Sequence, residues 1–466
     1  MENIKKNKIK KEVDFTKGPI LGPLLKFAMP VLLALFLQAL YGAVDLLIVG
    51  QFGTTDNVSS VSMGSQIITA FTQIVAGLAT GVTVLIGQLL GKKDGKKAGE
   101  AVGTAIYTFA VVAIVFTAIL MIFADSLLAL FNTPEAAMEQ GASYIRICAG
   151  GMIFIVAYNL IGSVFRGIGD STTPLITVAI ACVANIGGDL LLVGVFDMKA
   201  AGAAIATVFA QAISVVLSLV LIKRKTLPFH LDRSSMKFQM SLALHILKLG
   251  IPLALQEIVI SLSFLIVASV VNKLGVVASA SAGVAGKLIT FIMLLPSAYA
   301  QAMSAFVAHN MGAGQLDRAK KALIHGIWTS LVFATIMFYF SFIHGTWLTG
   351  IFTTEQEVME GAAEYLKAYA IDTFLTSFLF CFVGFFNGCG KTTITMIQGM
   401  IGVAVRIPAA IIIGNLSIAS LFTIPLSAPI STVVQITFCM ICFVSIYRKL
   451  KVQMGENTTA ASEWIQ

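Results

Sequence analysis

Four carboxylates and one guanidinium stand inside long apolar runs of this sequence: Asp45, Asp189, Glu257, Asp372 and Arg406. An ionisable group within hydrocarbon is costly, and faces a partner or a water-filled path. Asn185 lies one helical turn before Asp189, so a helix puts both on one face. In the span order read below, Asp45, Asn185, Asp189 and Thr207 fall at similar depth and predict one oxygen-rich cluster. Oxygen ligands suit a hard cation such as Na+, and a carboxylate buried beside another readily binds a proton. The plainer alternative is that these acids only hydrogen-bond neighbouring helices. Glu257 and Asp372 fall near mid-depth of later spans. Two readings stay open for them: contact with a cationic substrate in a cleft, or structural pairing with Lys287 or Arg406.

Asn387-Gly388-Cys389-Gly390-Lys391-Thr392-Thr393 resembles the end of a phosphate-binding loop. The first glycine of that motif falls on Phe385, and an apolar helix rather than a strand precedes it. The segment reads as a turn between helices, and no ATPase or other enzyme is expected. The six cysteines lie in or at the ends of apolar runs and read as packing, as does His309.

The elements that carry these residues follow from composition. Of the 466 residues, 57% are hydrophobic and 12% charged, where a soluble domain carries about 25% charged. Apolar runs of more than about 20 residues read as membrane-spanning helices, since lipid offers the backbone no hydrogen-bond partner. Twelve spans result: 22–50, 58–90, 98–123, 138–165, 172–195, 200–222, 243–272, 279–311, 319–343, 358–386, 392–414 and 417–447. The net charge of +8 does not point to nucleic acid. Lys5, Lys6, Lys8, Lys10, Lys11 and Lys17, then Lys92, Lys93, Lys96, Lys97, Lys223, Arg224, Lys225, Arg233, Arg318, Lys320, Lys321 and Lys391, all fall on one side of the map. Positive charge stays in the cytoplasm, which puts both termini there. Pro30, Pro252, Pro296 and Pro408 are candidate bending points.

The chain repeats itself at a separation of 221 or 222 residues. Lys26…Pro30 recurs as Lys248…Pro252, Gly91…Ala98 as Gly312…Ala319, Phe131 and Tyr144 as Phe352 and Tyr365, and Gly167-Ile168-Gly169 as Gly388-Cys389-Gly390. An even number of spans per repeat gives both halves the same orientation, related by an axis along the membrane normal. The expected fold is an all-α polytopic membrane protein of two six-helix lobes. Its divisions are a tail to residue 21, an N-lobe over 22–222, a linker over 223–242, a C-lobe over 243–447 and a tail over 448–466. A cleft between the lobes is the natural place for a transported molecule.

The sequence resembles the MATE family of multidrug and toxic compound extrusion transporters. The resemblance rests on Pro30…Asp45, Gly87-Gln88-Leu89-Leu90-Gly91, the run from Phe165 to Pro174, Asn185…Asp189, the run from Gly202 to Thr207, and Arg406-Ile407-Pro408. It implies a plasma-membrane antiporter, acting as a monomer, that exports amphipathic or cationic organic compounds in exchange for Na+ or H+ and needs no further cofactor. It also implies that Asp45, Asn185, Asp189 and Thr207 form the cation or proton site, with Na+ at Asp45, Asn185 and Asp189. Glu257, Asp372 and Arg406 resemble a substrate or second-lobe cation site used by another branch. The rival reading is a flippase for lipid-linked saccharide precursors, which calls for a more cationic cleft.

Overall fold

The structure is a computed structural model that describes residues 14–131, 133–229, 232 and 235–463. The lysines between Lys5 and Lys11, and Arg233 of the linker, lie outside the described residues. Every regular element among the described residues is a helix, with no strand among them. Helices α1 (Leu21–Phe52), α2 (Thr55–Gly91), α3 (Gly95–Leu130), α4 (Glu135–Gly150), α5 (Met152–Gly167), α6 (Thr172–Asp189) and α7 (Lys199–Arg224) make the first half. The second comprises α8 (Met240–Asn272), α9 (Val276–Ile292), α10 (Leu294–Gly312), α11 (Leu316–Ile343), the short α12 (Gly345–Thr349), α13 (Gln356–Gly388), α14 (Thr392–Gly414) and α15 (Ser427–Glu463).

Among the described residues, eleven helical stretches are long and apolar enough to cross a membrane, and α4 with α5 supplies a twelfth as a bent pair. That bend, 55°, falls between Gly150 and Met152 and involves no proline. A Cβ on Gly151 would lie 2.3 Å from Val208 Cγ1, so the close approach of α7 demands glycine there. Pro30, Pro252 and Pro408 sit inside continuous helices, while Pro296 follows a break at Met293. The residues of the expected C-terminal tail continue α15 as helix to Glu463.

The two halves do not pack as closed six-helix units. Leu24, Phe27, Ala28 and Val31 of α1 belong to the same buried cluster as Tyr299, Phe306, Leu323 and Phe385 of the second half. Beyond Pro30, Ile48 and Val49 of the same helix join the first-half core. The repeat partner α8 does the converse: Ile246, Leu249 and Ala254 pack in the first-half core, and Val267, Val270 and Val271 in the second. Each lobe therefore sends the first half of its leading helix into the other.

The lobes meet tightly at the end where both termini lie. Backbones touch there, because glycines leave no side chain between them. A Cβ on Gly91 would lie 2.1 Å from His309 O, and one on Gly312 would lie 2.0 Å from Gln88 O. Gly81 and Gly250 are as confined, at 2.8 Å from Ile246 O and 2.7 Å from Leu78. Two hydrogen bonds cross this seam. Gln88 Nε2 donates to Gly388 O at 3.0 Å, and His309 Nε2 to Gly167 O at 2.8 Å. Gln88 and His309 are repeat partners, as are Gly167 and Gly388, so the pair obeys the pseudo-two-fold axis. His309 is thus a cross-lobe bond donor as well as packing. Helix α2 packs against α8 and α10 of the second half, and no comparable packing joins it to α9. Gln66, Thr69 and Gln73 on α2, and Lys287 and Thr290 on α9, are exposed. Phe36 of α1 meets Phe291 at 5.9 Å, which turns the Lys287 stripe toward the opposite lobe. The cleft expected between the lobes would lie between these polar faces, on the side of the seam away from the termini.

Candidate functional site

The oxygen cluster expected from sequence assembles in the first lobe. Asp45 comes from α1, Asn185 and Asp189 from the end of α6, and Thr207 from α7. Asp189 is the last α-helical residue before a π-helical stretch, Leu190–Val195. That wider winding re-aims side chains and recurs at functional sites. Beside it, a Cβ on Gly188 would lie 3.0 Å from Ala206 Cβ, so α6 and α7 approach closely and Thr207 reaches Asp45. Thr207 Oγ1 donates to Asp45 Oδ2 at 3.3 Å. Asp45 also faces Asp189 and Asn185, but no hydrogen-bond geometry joins them. Asp45 Oδ1, both Asp189 oxygens and both polar side-chain atoms of Asn185 are buried without a partner.

Buried polar groups are almost always satisfied, so five orphaned atoms in one spot call for an explanation. No ion pair offsets either carboxylate among the described residues. Two facing carboxylates, an amide and a hydroxyl can receive one monovalent cation or share a proton. No group of three or more histidine, cysteine or acidic side chains that could hold a metal ion occurs among the described residues.

Sequence reasoning missed Tyr144, whose only signal was its place in the repeat. The bend at Gly151 lets α4 carry its buried phenol alongside Thr207, Asp45 and Asp189. Its ring occupies space left by Gly64, where a Cβ would lie 2.7 Å from Tyr144 Cδ1. A polar ladder leads from the cluster toward the termini. Gln211 Nε2 donates to Tyr41 Oη at 3.3 Å, Gln38 bonds Tyr158, and Arg166 bonds Ser163 at 2.7 Å. Asp45, Tyr41 and Gln38 share one face of α1 by their spacing of four and three.

The second-lobe residues do not form an equivalent cluster. Asp372 is only 1% exposed, which removes it from the cleft wall. Thr432 Oγ1 donates to Asp372 Oδ1 at 2.6 Å, and Arg406 stands within electrostatic reach. The Arg406 guanidinium also lies 5.0 Å over the Phe264 ring. Lys287 is exposed and pairs with neither acid. Glu257 is half-buried, and no hydrogen bond or ion pair joins it to Asp372. The phosphate-loop lookalike is a helix turn: α13 ends at Gly388, Gly390 takes φ +72°, and α14 begins at Thr392.

The family model described as MatE matches residues 30–191 and again residues 252–412. The chain belongs to the MATE family. The two matches begin 222 and end 221 residues apart, the same separation as the repeat. MATE proteins are transporters, and this one is a multi-pass membrane protein. The probable multidrug resistance protein YpnP of Bacillus subtilis is 30% identical over 84% of this chain and 86% of its own. The multidrug export protein MepA of Staphylococcus aureus is 22% identical over 86% and 89%. Among solved structures, a multidrug resistance MATE transporter in an outward-facing conformation superposes with a TM-score of 0.89. It is 18% identical and covers 95% of this chain and 99% of its own. A superfamily transporter from Pyrococcus furiosus, described as having a binding pocket of reverse polarity, superposes equally well at 17% identity, covering 95% and 99%. At these identities the structures speak to the two-lobed fold.

Proposed function

We propose that the protein is a secondary active efflux antiporter that exports amphipathic organic compounds in exchange for Na+ or H+ by alternating access. The observation that carries this is the orphaned cluster of Asp45, Asn185 and Asp189 beside Thr207. One cation or proton entering offsets one of its two carboxylate charges, which gives the first lobe two states for an ion gradient to drive. Tyr144 completes the shell, and the ladder through Tyr41, Gln211, Gln38 and Tyr158 is the ion's route toward the termini side. The basic connections support a cytoplasmic location for both termini. On that orientation the cleft faces outward and the glycine seam is the closed inner gate. Glu257 is the acid available to a cationic substrate, while Asp372 and Arg406 hold the second lobe. One chain contains both lobes and works as a monomer. The relatives reported above carry multidrug names, which favours efflux over flipping of lipid-linked saccharides.

The test is dye uptake into liposomes holding the purified protein, under a sodium gradient or a proton gradient alone. Uptake driven by one gradient and abolished in Asp189→Asn is expected. Uptake that needs ATP, or that persists unchanged in the variant, overturns the reading.

A further inference from the structure

A cavity of about 910 Å3 opens at the termini end of the second lobe. The chain entering α1, the start of α11 and the exit of α15 enclose it, and Leu21, Leu316, Arg318, Lys321, His325 and Lys451 are among its lining. Arg318 builds one wall: its Nε, Nη1 and Nη2 donate to the carbonyls of Phe15, Gly18 and Lys17 at 2.9, 2.8 and 3.0 Å. Lys321 and Lys451 are exposed and take part in no ion pair among the described residues. The one acid in the lining, Asp317, accepts from Tyr447 Oη at 2.6 Å and has Lys320, Lys321 and Lys451 around it.

Depth identifies the environment. Helix α11 has 28 residues, about 42 Å at 1.5 Å per residue, against a hydrocarbon core of about 30 Å. Its first turn or so therefore lies at headgroup level, with Lys321 roughly 7 Å along and able to snorkel there. Exposed Leu21 borders the same opening on the hydrocarbon side.

The repeat supplies a control. Lys321 corresponds to Glu100 and His325 to Thr104 in the first lobe. There the chain entering α8 covers the place: Gln239 donates to Glu100 Oε2 at 3.0 Å and to Thr104 Oγ1 at 3.3 Å. A Cβ on Gly103 would lie 2.1 Å from Ser235 O. One lobe closes this corner with an acid inside it, and the other leaves it open with a lysine. The chain's own N-terminal stretch is no complement, since Lys5, Lys6, Lys8, Lys10 and Lys11 carry the same sign.

We infer that this cavity holds the phosphate of an anionic phospholipid, its acyl chains leaving past Leu21 and Leu316. Basic pockets between transmembrane helices at the headgroup level bind such lipids. The site is separate from the ion cluster and from the cleft. Native mass spectrometry of the detergent-purified full chain, offered phosphatidylglycerol and phosphatidylcholine in equal amounts, tests it. Preferential retention of phosphatidylglycerol is expected. Lys321→Gln with Lys451→Gln reduces that preference roughly thirtyfold, at about 1 kcal/mol per lysine, and Lys321→Arg preserves it. Equal retention of both lipids, or a double variant that keeps the preference while folded by thermal unfolding, overturns the proposal. Displacement of phosphatidylglycerol by millimolar inorganic phosphate overturns it too, in favour of a site for the free anion.

Discussion

Gly151 and Asp372 occupy the same place in the two lobes, 221 residues apart. In the first lobe the helix bends there, and Tyr144 reaches the acids of α1 and α6. In the second, α13 runs unbroken through Asp372, and Tyr365 stacks on Tyr369 at 5.4 Å instead. Asp45 and Asp189 leave three of their four carboxylate oxygens without a partner, whereas Asp372 has a hydroxyl on one oxygen and a guanidinium nearby. On the proposed function, a duplicated scaffold has separated a binding interior from a structural one. Unpartnered carboxylate oxygens are the mark of the former, because they gain most when a ligand arrives.

The sharpest way to break this contrast is to remove one acid from each lobe. Asp189→Asn is expected to drop ion-driven export to background while thermal unfolding holds or improves, since a charge leaves the hydrocarbon. Asp372→Ala is expected to cost about 1.5–3 kcal/mol of stability, the range for a hydrogen bond to a charged group. Liposome export and thermal unfolding of both variants decide it, and the reverse pattern would exchange the lobes' roles. Next come the paired glycines of the seam. Gly91→Ala and Gly312→Ala should each disfavour the closed termini end by on the order of 1–3 kcal/mol, as overpacking does. Labelling of a cysteine at the buried Ala308 should rise equally in both, and a large inequality would show that the seam is not symmetric.

Much of this was legible in the sequence. Long apolar runs announce spans because lipid leaves the backbone no alternative to the helix, and a carboxylate in such a run announces itself by its cost. Depth can be counted from residue number, which brought Asp45, Asn185, Asp189 and Thr207 together. Rotation about the helix axis cannot be counted so well, and Asp372 proved buried rather than lining the cleft. The bend at Gly151 was invisible because the side chain packed against it, Val208, lies on another helix. His309 and the crossing of α1 and α8 into opposite cores likewise depend on partners far along the chain.

Smaller effects sharpen the comparison further. Gln88→Ala and His309→Ala each remove one cross-lobe hydrogen bond, about 1 kcal/mol apiece, and should raise Ala308→Cys labelling by similar factors. Among the repeat pairs that differ in the turns after α5 and α13, Asp170 and Lys391 differ in charge. Asp170 Oδ1 accepts from the backbone of Thr172 and Thr173 at 3.0 Å, and its carboxyl pairs with Lys225. Lys391 gives α14 no side-chain cap. Burial works against the Asp170 charge, but the bonds from Lys225 and Thr173 outweigh it and hold the carboxyl below its ordinary range. A depressed value stabilises the fold above the ordinary carboxylate pKa of about 4, and that part is lost as pH falls through the lowered value. Asp170→Asn should cost about 1 kcal/mol or less at neutral pH and flatten acid unfolding, while Lys391→Asp should gain a similar amount. Thermal unfolding between neutral and acid pH measures both.

On the proposed antiport mechanism, the glycine seam bears on slippage. An exchanger that lets ions through without cargo dissipates the gradient it runs on. Where side chains form a gate, their rotamers fluctuate and admit water in passing. At Gly91 and Gly312 peptide groups lie directly against each other, so at these two points the barrier has no rotamers to fluctuate. Such a wall parts only when whole helices move, which ties leakage to the full conformational cycle.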